Sequence, residues 1–186
     1  MTEAEQDDFD PEQWRAELEG HREQKDEFLA DHPQSPLPPE EREGFAGLEY
    51  FDPDPDYRVR AEVEVHDDPE PVEMDVSAGR PQRYLRVATL HFDLDGEAYE
   101  LAGYRQEEQE GLFVPFRDKT TGQQSYQDGR YMEFETEADL EDGAEMVLDF
   151  NLAYSPFCAF SEVFSCPLPP EENWLETEIL AGEKAP

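Results

Sequence analysis

The feature that most constrains the fold of this chain is a strict alternation of apolar and polar side chains near its middle. In YRVRAEVEVHD, every second position from Val59 to Val65 is Val or Ala, and arginines and then glutamates fill the positions between them. Successive side chains of an extended strand point to opposite faces, so this pattern buries one face and leaves the other in water. It predicts a half-buried β-strand, because a helix would need apolar residues three or four positions apart.

A β-hairpin is predicted further along, where Asp95-Gly96 joins RYLRVATLHFDL to EAYELAGY. An Asp-Gly pair between two alternating segments is a strong signal for a two-residue turn. In that register Leu90 faces Leu101 and Phe92 faces Tyr99, which gives the hairpin one apolar surface.

Further strands are predicted over GLFVPF, RYMEFET, AEMVLDF and NWLETEIL, and Val72, Met74 and Val76 repeat the alternation. The chain therefore has roughly seven to nine short strands, few helices and frequent turn signals. The predicted fold class is mainly β, as an antiparallel barrel or a two-sheet sandwich with an N-terminal α-helix.

The N-terminal helix is predicted from its boundary residues. Asp10 suits the N-cap, Pro11 suits the first helical position, and His32-Pro33 ends the helix before the Pro-rich QSPLPP. We expect an acidic disordered tail over residues 1–9, a helical segment with a Pro-rich linker over residues 10–47, and a β domain over residues 48–186.

The chain carries a formal net charge of −35, and its acidic residues are spread over the whole length. Lysine occurs only at Lys25, Lys119 and Lys184. This composition indicates an acidic surface of the halophilic kind. At about 1 M salt the Debye length is about 3 Å, which screens the repulsion that would otherwise open the fold.

An anionic surface argues against two classes of partner. Phosphate contacts need clustered Lys and Arg, so nucleic acid is not expected, and an anionic membrane is not expected for the same reason. The N-terminal MTEAEQDDFD lacks the basic and apolar regions of a signal peptide. The predicted location is the cytoplasm, where two cysteines are more often thiols than a disulfide.

One long segment contrasts with this surface. DFNLAYSPFCAFSEVFSCPLPP, residues 149–170, has only two charged side chains, Asp149 and Glu162, and it holds both cysteines. Unpaired buried charges are costly, so a lack of charge is typical of a segment removed from water. We expect this segment to fold back across the sheet and to form the functional or structural centre of the protein.

Several blocks of the sequence resemble a known family. They are SPL at 35–37, RxxFxGLxYF at 42–51, FVPFRDKTTG at 113–122, SYxDGRYM at 125–132, LDFNLAYSPFCAF at 148–160, CPLPPEENWL at 166–175 and AGEK at 181–184. On these blocks the chain is similar to domain of unknown function 1684, a family of uncharacterised proteins found in bacteria and halophilic archaea. SYQDGRY stands where that family tends toward TYGGGRY, and AYSP where it tends toward AYNP. The resemblance covers most of the chain and implies a shared fold and site, and no activity.

The two cysteines, Cys158 and Cys166, have seven residues between them, which is not the spacing of a structural zinc site. The leading interpretation is a pair of buried structural thiols. The alternatives are a disulfide, ligands for a metal or for redox chemistry, and a nucleophile. A nucleophilic thiol needs a nearby base such as His, which no motif supplies.

Polar side chains follow the strand that ends at Asp149. Asp149, Asn151 and Tyr154 could hydrogen-bond a ligand or a buried arginine, or they could fix an irregular loop by bonding its backbone. Arg117 and Arg130 flank a polar turn. An arginine near Asp149 would form a buried ion pair or clamp a carboxylate or phosphate ligand.

The predicted ligand-binding residues are Arg117, Asp118, Thr121, Arg130, Tyr131, Asp149, Asn151, Tyr154, Cys158, Cys166 and Asn173. No motif assigns a metal site, a cofactor or a catalytic residue. The first hypothesis is small-molecule binding beside the DFN and CPLPP segments, in a pocket walled by Phe116, Phe157 and Phe160. The alternatives are a hydrolase-like enzyme with Asp149 as base or Cys158 as nucleophile, and a structural or interaction protein whose polar groups bond only one another.

Overall fold

The structure, a computed structural model, describes residues 9–106, 111–134 and 141–186. Helix α1 spans Pro11–Asp31, and the Asp10 carboxylate caps it by accepting from the backbone N–H groups of Glu12 and Gln13. The helix ends before His32, so both predicted boundaries are confirmed. A short second helix, α2, spans Pro39–Arg42. Neither helix is long and apolar enough to cross a membrane, and the described residues contain no other α-helix.

The chain divides into two units, residues 1–48 and residues 49–186, and the helices lie in the first. The predicted acidic tail, residues 1–9, lies outside the described residues except for Phe9.

The second unit is built on a curled antiparallel sheet of six described strands, in the order β5-β4-β3-β2-β1-β6. Their bounds are β1 Arg58–Met74, β2 Gln82–Leu94, β3 Glu97–Arg105, β4 Leu112–Phe116, β5 Arg130–Phe134 and β6 Glu145–Asp149. A mainly β fold with an N-terminal helix is therefore confirmed. The choice between a barrel and a sandwich stays a prediction.

The β2–β3 hairpin has the predicted turn and the predicted register. Asp95 has φ 51° and Gly96 has φ 81°, and a two-residue turn that matches the twist of its strands requires positive φ at both positions. Leu90 pairs with Leu101 and Phe92 with Tyr99. The alternation of side chains was sufficient to set this register because a slip of one residue would expose the apolar set.

Two of the predicted strands differ from the structure. The residues around Val72 belong to β1, which runs on to Met74 instead of ending at a turn. NWLETEIL does not form a strand: a 3-10 turn over Glu171–Asn173 is followed by a single bridge between Arg117 and Trp174. The backbone of this segment bonds to that of Arg117 and, through the carbonyl of Thr177, to the N–H of Lys119, and the side chain of Asn173 makes further contacts to the sheet.

One face of the sheet carries the main core of the unit. Its buried members include Val63, Leu90, Phe92, Leu101, Val114, Phe116, Met132 and Leu148 from the strands, and Phe150, Leu175 and Ile179 from the segments that cover them. The alternation in β1 and β2 thus places its apolar set as predicted, on one side of the sheet.

The opposite face carries an aromatic cluster, formed by Tyr84, Tyr104, Phe113 and Tyr131. Tyr84 reaches this face because the pairing register shifts between Arg86 and Ala88, and a shift of one residue turns the following side chains to the other side. The register of β1 also shifts, between Val65 and Glu70, so Val72 and Met74 join the same face. The bulges therefore divide each long strand between two apolar surfaces.

Candidate functional site

The uncharged segment starts where β6 ends, and its first residues form a local hydrogen-bonded turn. The buried Asp149 carboxylate accepts from the backbone N–H of Asn151 at 3.0 Å and from its side-chain Nδ2 at 2.8 Å. This capping starts a 3-10 turn over Phe150–Leu152 and brings Phe150 into the main core. Asp149 and Asn151 are thus together, as predicted, and bond to each other.

Asn151 also ties this turn to a distant loop. Its Nδ2 donates to the carbonyl of Asp54 at 2.8 Å, and its Oδ1 accepts from the N–H of Asp54 at 3.0 Å. A primary amide presents a donor and an acceptor side by side, as a backbone peptide does. The side chain of Asn151 therefore takes the place of a neighbouring strand for Asp54.

Asn173 makes the same arrangement with the sheet. Its Oδ1 accepts from the N–H of Ala102 at 2.8 Å, and its Nδ2 donates to the carbonyls of Ala102 and Pro115 at 2.9 and 2.8 Å. Strands β3 and β4 pair through Tyr104 and Phe113, and Pro115 has no N–H to continue the ladder. The fully buried Asn173 satisfies the groups that would otherwise be left without partners.

Arg130 is fully buried and is held by the C-terminal segment. Its guanidinium donates to the carbonyls of Ile179, Ala181 and Glu183, and its Nη2 lies 3.4 Å from the Asp118 carboxylate. Burial lowers the pKa of Arg130, and the charge of Asp118 opposes that effect. An ion pair was one of the two predicted roles, but its partner is Asp118 and the expected partner Asp149 was wrong.

The Asp118 carboxylate organises the turn that follows β4. It accepts from the hydroxyls of Thr120 and Thr121, and from the backbone N–H of Ile179 at 2.7 Å. The N–H of Asp118 in turn donates to Thr121 at 3.0 Å. Asp118, Thr121 and Arg130 therefore form one internal network that fastens the C-terminal segment.

Arg117 lies apart from that network. Its guanidinium carbon is 4.8 Å from the centroid of the Trp174 ring, which is a cation–π geometry. Its backbone bridges to the segment after Asn173, with an N–H···O distance of 3.1 Å to the Asn173 carbonyl.

Tyr131 and Tyr154 pair through their backbones in an antiparallel bridge, with N···O distances of 2.8 and 3.0 Å. Their rings meet edge to face at 5.9 Å. Burial raises the pKa of Tyr131, and it raises the pKa of Tyr154, to which the charge and hydrogen bond of Glu133 add. The Tyr131 hydroxyl donates to the carbonyl of Pro167.

Cys158 and Cys166 form a disulfide, so the leading prediction of two thiols was wrong. The loop folds back far enough to pair the two cysteines because hydrogen bonds hold it to the β1–β2 connection. The N–H of Cys166 donates to Ser77 Oγ at 3.0 Å, the carbonyl of Cys166 accepts from Ser77 N–H at 3.0 Å, and Leu168 N–H donates to Asp75. A disulfide leaves no thiolate, so the nucleophile and metal-ligand alternatives for these residues do not apply to this form of the protein.

A cavity of about 380 Å³ opens over the aromatic cluster. All four rings of the cluster line it, together with Glu133 and with Pro167 from the CPLPP block. Ligand sites of small molecules are commonly about 300–1,000 Å³ and mostly apolar, with a few polar groups. Of the predicted site residues, only Tyr131 lines this cavity.

The predicted residues therefore fall into separate groups: the Arg130 network, the two asparagine contacts, the tyrosine pair, the Arg117–Trp174 contact and the disulfide. The sequence analysis missed Tyr84, Tyr104, Phe113 and Glu133. The sequence held a signal for the bulge, because the adjacent apolar residues Val87 and Ala88 interrupt the alternation of β2 and indicate that its side chains change face there.

Glu183 was also missed as a site residue, although it lies in the AGEK block. It is 3% exposed, and its carboxylate accepts from the N–H of Ser155 at 3.1 Å. Among the described residues, no group of three or more His, Cys, Asp and Glu side chains is placed to hold a metal ion.

Comparison with known proteins yields a family and a structural neighbour. No curated protein sequence matches the chain. A solution NMR structure of an uncharacterized protein from Haloarcula marismortui is 63% identical, covers 93% of this chain and 95% of its own, and has a TM-score of 0.73. The model of the family described as "Protein of unknown function (DUF1684)" matches residues 43–184, and the chain belongs to that family.

Proposed function

We propose that the protein binds a small molecule in the cavity over the aromatic cluster, between strands β2 to β5 and Pro167. The observation that carries this proposal is the cavity itself, which combines about 380 Å³ of space with the four rings of the aromatic cluster and, among the described residues that line it, the charged side chains of Glu133 and Arg105. A protein that needs only stability gains from filling such a space, since the atoms that line an unfilled space lose packing contacts.

What the cavity offers to a ligand follows from the bonds its phenols already make. The hydroxyls of Tyr104 and Tyr131 donate to Glu172 and to the carbonyl of Pro167, and that of Tyr84 donates to Gln82. The rings therefore present apolar faces and edges to a ligand. The polar recognition is left to Glu133, Arg105 and Gln106, which also line the cavity.

The polar residues predicted from the sequence support a second role, architecture. Asn151, Asn173 and Arg130 each bond to backbone groups far away in the chain and hold irregular segments against the sheet. In this proposal they maintain the wall and floor of the site and do not contact the ligand. The proposal thus combines the binding hypothesis with the structural one, and moves the pocket away from the DFN turn.

We further propose that the acidic surface is an adaptation to molar salt and that the protein acts in the cytoplasm without nucleic-acid or membrane partners. The net charge of −35 supports this proposal, as does the similarity to a protein of Haloarcula marismortui. Disulfides persist only where thiols are not kept reduced. The proposed cytoplasmic location therefore requires that the Cys158–Cys166 disulfide is not reduced there.

A ligand-observed NMR fragment screen in molar KCl tests the proposed site. Fragments with an apolar or aromatic face should bind the unmodified protein, and Phe113→Ala should abolish binding of the hits. Phe157→Ala is the matched control, because Phe157 is 40% exposed, belongs to the pocket wall predicted from the sequence, and does not line this cavity. Hits that Phe157→Ala removes and Phe113→Ala leaves would contradict the proposed site.

A further inference from the structure

We infer that the ligand of the aromatic cavity is a small organic cation with an alkylated ammonium group. This inference rests on the proposed function and names the class of ligand for the same site. It is carried by the placement of one carboxylate beside the four rings of the aromatic cluster, three of which are tyrosines whose hydroxyls are already bonded.

Strand register places these groups on one surface. Tyr104 pairs with Phe113, and Phe113 pairs with Glu133, so the three side chains form a row across β3, β4 and β5. Tyr131 lies two positions before Glu133 on the same face. The ring centroids of Phe113 and Tyr131 are 4.8 Å apart at an interplanar angle of 79°, and those of Tyr84 and Tyr104 are 6.5 Å apart at 77°. These two pairs form corners, whereas Tyr84 and Phe113 stack at 27° with their centroids 5.7 Å apart.

The described lining of the cavity has one acidic side chain, Glu133, and one basic side chain, Arg105. Burial raises the pKa of Tyr84, Tyr131 and Tyr154, and the charge of Glu133 adds to the rise in each case. Arg105 also borders the cavity. By the alternation of β3 it belongs to the face of Leu101, and its Nε donates to the carbonyl of Gly111 at 2.9 Å. The carboxylate is therefore the charge that the row of rings presents.

A cation suits such corners for a physical reason. The face of an aromatic ring is negative, so a cation within about 6 Å of the centroid is attracted to it. A bare inorganic cation would have to lose a strongly held hydration shell to enter. An alkylated ammonium carries its charge inside an apolar shell, so it loses less hydration and buries apolar surface against the rings. It can therefore compete for the cavity in molar salt.

The test compares three probes of nearly equal shape. Choline carries a quaternary nitrogen, and neohexyl alcohol has carbon in its place. The third probe, tert-butylacetate (the anion of 3,3-dimethylbutanoic acid), has the same tert-butyl group and a negatively charged carboxylate. Binding is followed in molar KCl by shifts of the backbone amide signals of Phe113 and Glu133. We expect choline to bind at least about fivefold more tightly than neohexyl alcohol, and tert-butylacetate to bind more weakly than either.

Two variants locate the effect. Glu133→Gln should weaken choline about two- to fivefold and leave neohexyl alcohol unchanged, because it removes only the charge. Glu145→Gln removes the same charge from the other edge of the sheet, five strand positions away, and should change neither probe. Equal binding of choline and neohexyl alcohol would overturn the inference and leave the proposed site standing. Tighter binding of tert-butylacetate would overturn it in favour of an anion held by Arg105.

Absence of choline binding would overturn the inference by itself. Whether the proposed function falls with it is decided by the fragment screen, because fragments that depend on Phe113 would still show that the cavity binds a ligand of another class.

Discussion

The two faces of the sheet are built from the same strands and differ in how completely other segments fill the space over them. On the main-core face, Leu90, Leu101, Val114 and Phe116 are each fully buried, and the C-terminal segment closes over them. On the other face Tyr84, Tyr104 and Tyr131 are also buried and Phe113 is partly buried, but a cavity remains beside these rings and Glu133.

The difference shows how one sheet can separate stability from binding. The closed face gains its stability from buried apolar area, at roughly 25 cal/mol per Å². The aromatic face gives up some of that gain, because the rings line a space and do not fill it. Polar side chains such as Arg130 and Asn173 fix the segments that cover the sheet through hydrogen bonds to backbone groups.

The largest expected effect is a loss of stability on the closed, main-core face. Arg130→Met should destabilise the protein by about 3–5 kcal/mol, because it leaves the Asp118 carboxylate buried and unpaired and removes the donors to Ile179 and Ala181. The measurement is the free energy of unfolding from urea titrations in molar KCl.

The control for this variant is Arg117→Met. It removes a cation–π contact to Trp174, a residue that is 47% exposed, and should cost about 1 kcal/mol or less. Adding Asp118→Asn to Arg130→Met should recover part of the loss, since the unpaired charge is then absent. Similar losses in the two single variants would contradict the central role of the Arg130 network.

A smaller effect is expected at the border between the faces. Asn173→Ala should cost about 3 kcal/mol, because the buried N–H and C=O of Ala102 and the carbonyl of Pro115 lose their partner. Hydrogen exchange resolved by NMR would show faster exchange at the amide of Ala102. Asn151→Ala should instead accelerate the amide of Asp54. If Asn173→Ala leaves exchange at Ala102 unchanged, the side chain does not take the place of a strand.

Removing the disulfide tests whether the two faces of the sheet are independent, because it loosens the segment that covers the aromatic face. The Cys158→Ser, Cys166→Ser variant should lose about 2 kcal/mol, the scale set by closing a short loop in the unfolded chain. The backbone amides of Ser77 and Leu168, which join the loop to the β1–β2 connection, should exchange faster. Exchange of the Leu90 amide in the main core should change only as much as the global stability does. Extra acceleration at Leu90 beyond that global change would mean that the two faces are not independent.

The smallest effect is an alkaline one. Burial, aided by the charge of Asp128, raises the pKa of Tyr126 from 10.0 to about 12. A folded-state pKa above the unfolded value stabilises the fold fully below pH 10, and this contribution is lost as the pH rises toward 12. Stability should therefore fall with pH across that window, and the fall should be shallower in Tyr126→Phe. Unfolding titrations at several alkaline pH values check this, and equal slopes in the two proteins would disprove it.

Several elements could be predicted from the sequence because their causes are local. The N-cap at Asp10 bonds within three residues, and the turn at Asp95-Gly96 depends on two φ angles. The register of Leu90 against Leu101 follows from that turn and from a period of two. The family was also recognisable, because its blocks are contiguous in the chain.

The candidate site was predicted less well, for a different reason. Asp149 and Asn151 were recognised as polar residues in a nearly uncharged segment and Arg130 as a basic residue beside a polar turn, but the partners that they bond were not predicted. Polar type and burial indicate that a side chain must be bonded, and do not say to what. The aromatic cluster was missed because a bulge changes the face of β2, and its sign in the sequence is limited to the adjacent apolar residues Val87 and Ala88.

The sequence by itself determined a mainly β fold, an N-terminal helix with defined ends, and an apolar surface for the main core, since each follows from interactions between near neighbours. The tertiary structure decided the rest: the partners of Arg130, Asn173 and Asn151, which are 51, 71 and 97 positions away, the pairing of the cysteines, and the cavity on the second face. The physical reason is that a buried polar group takes whichever partner packing brings within about 3 Å, and the energy of that choice depends on the whole fold.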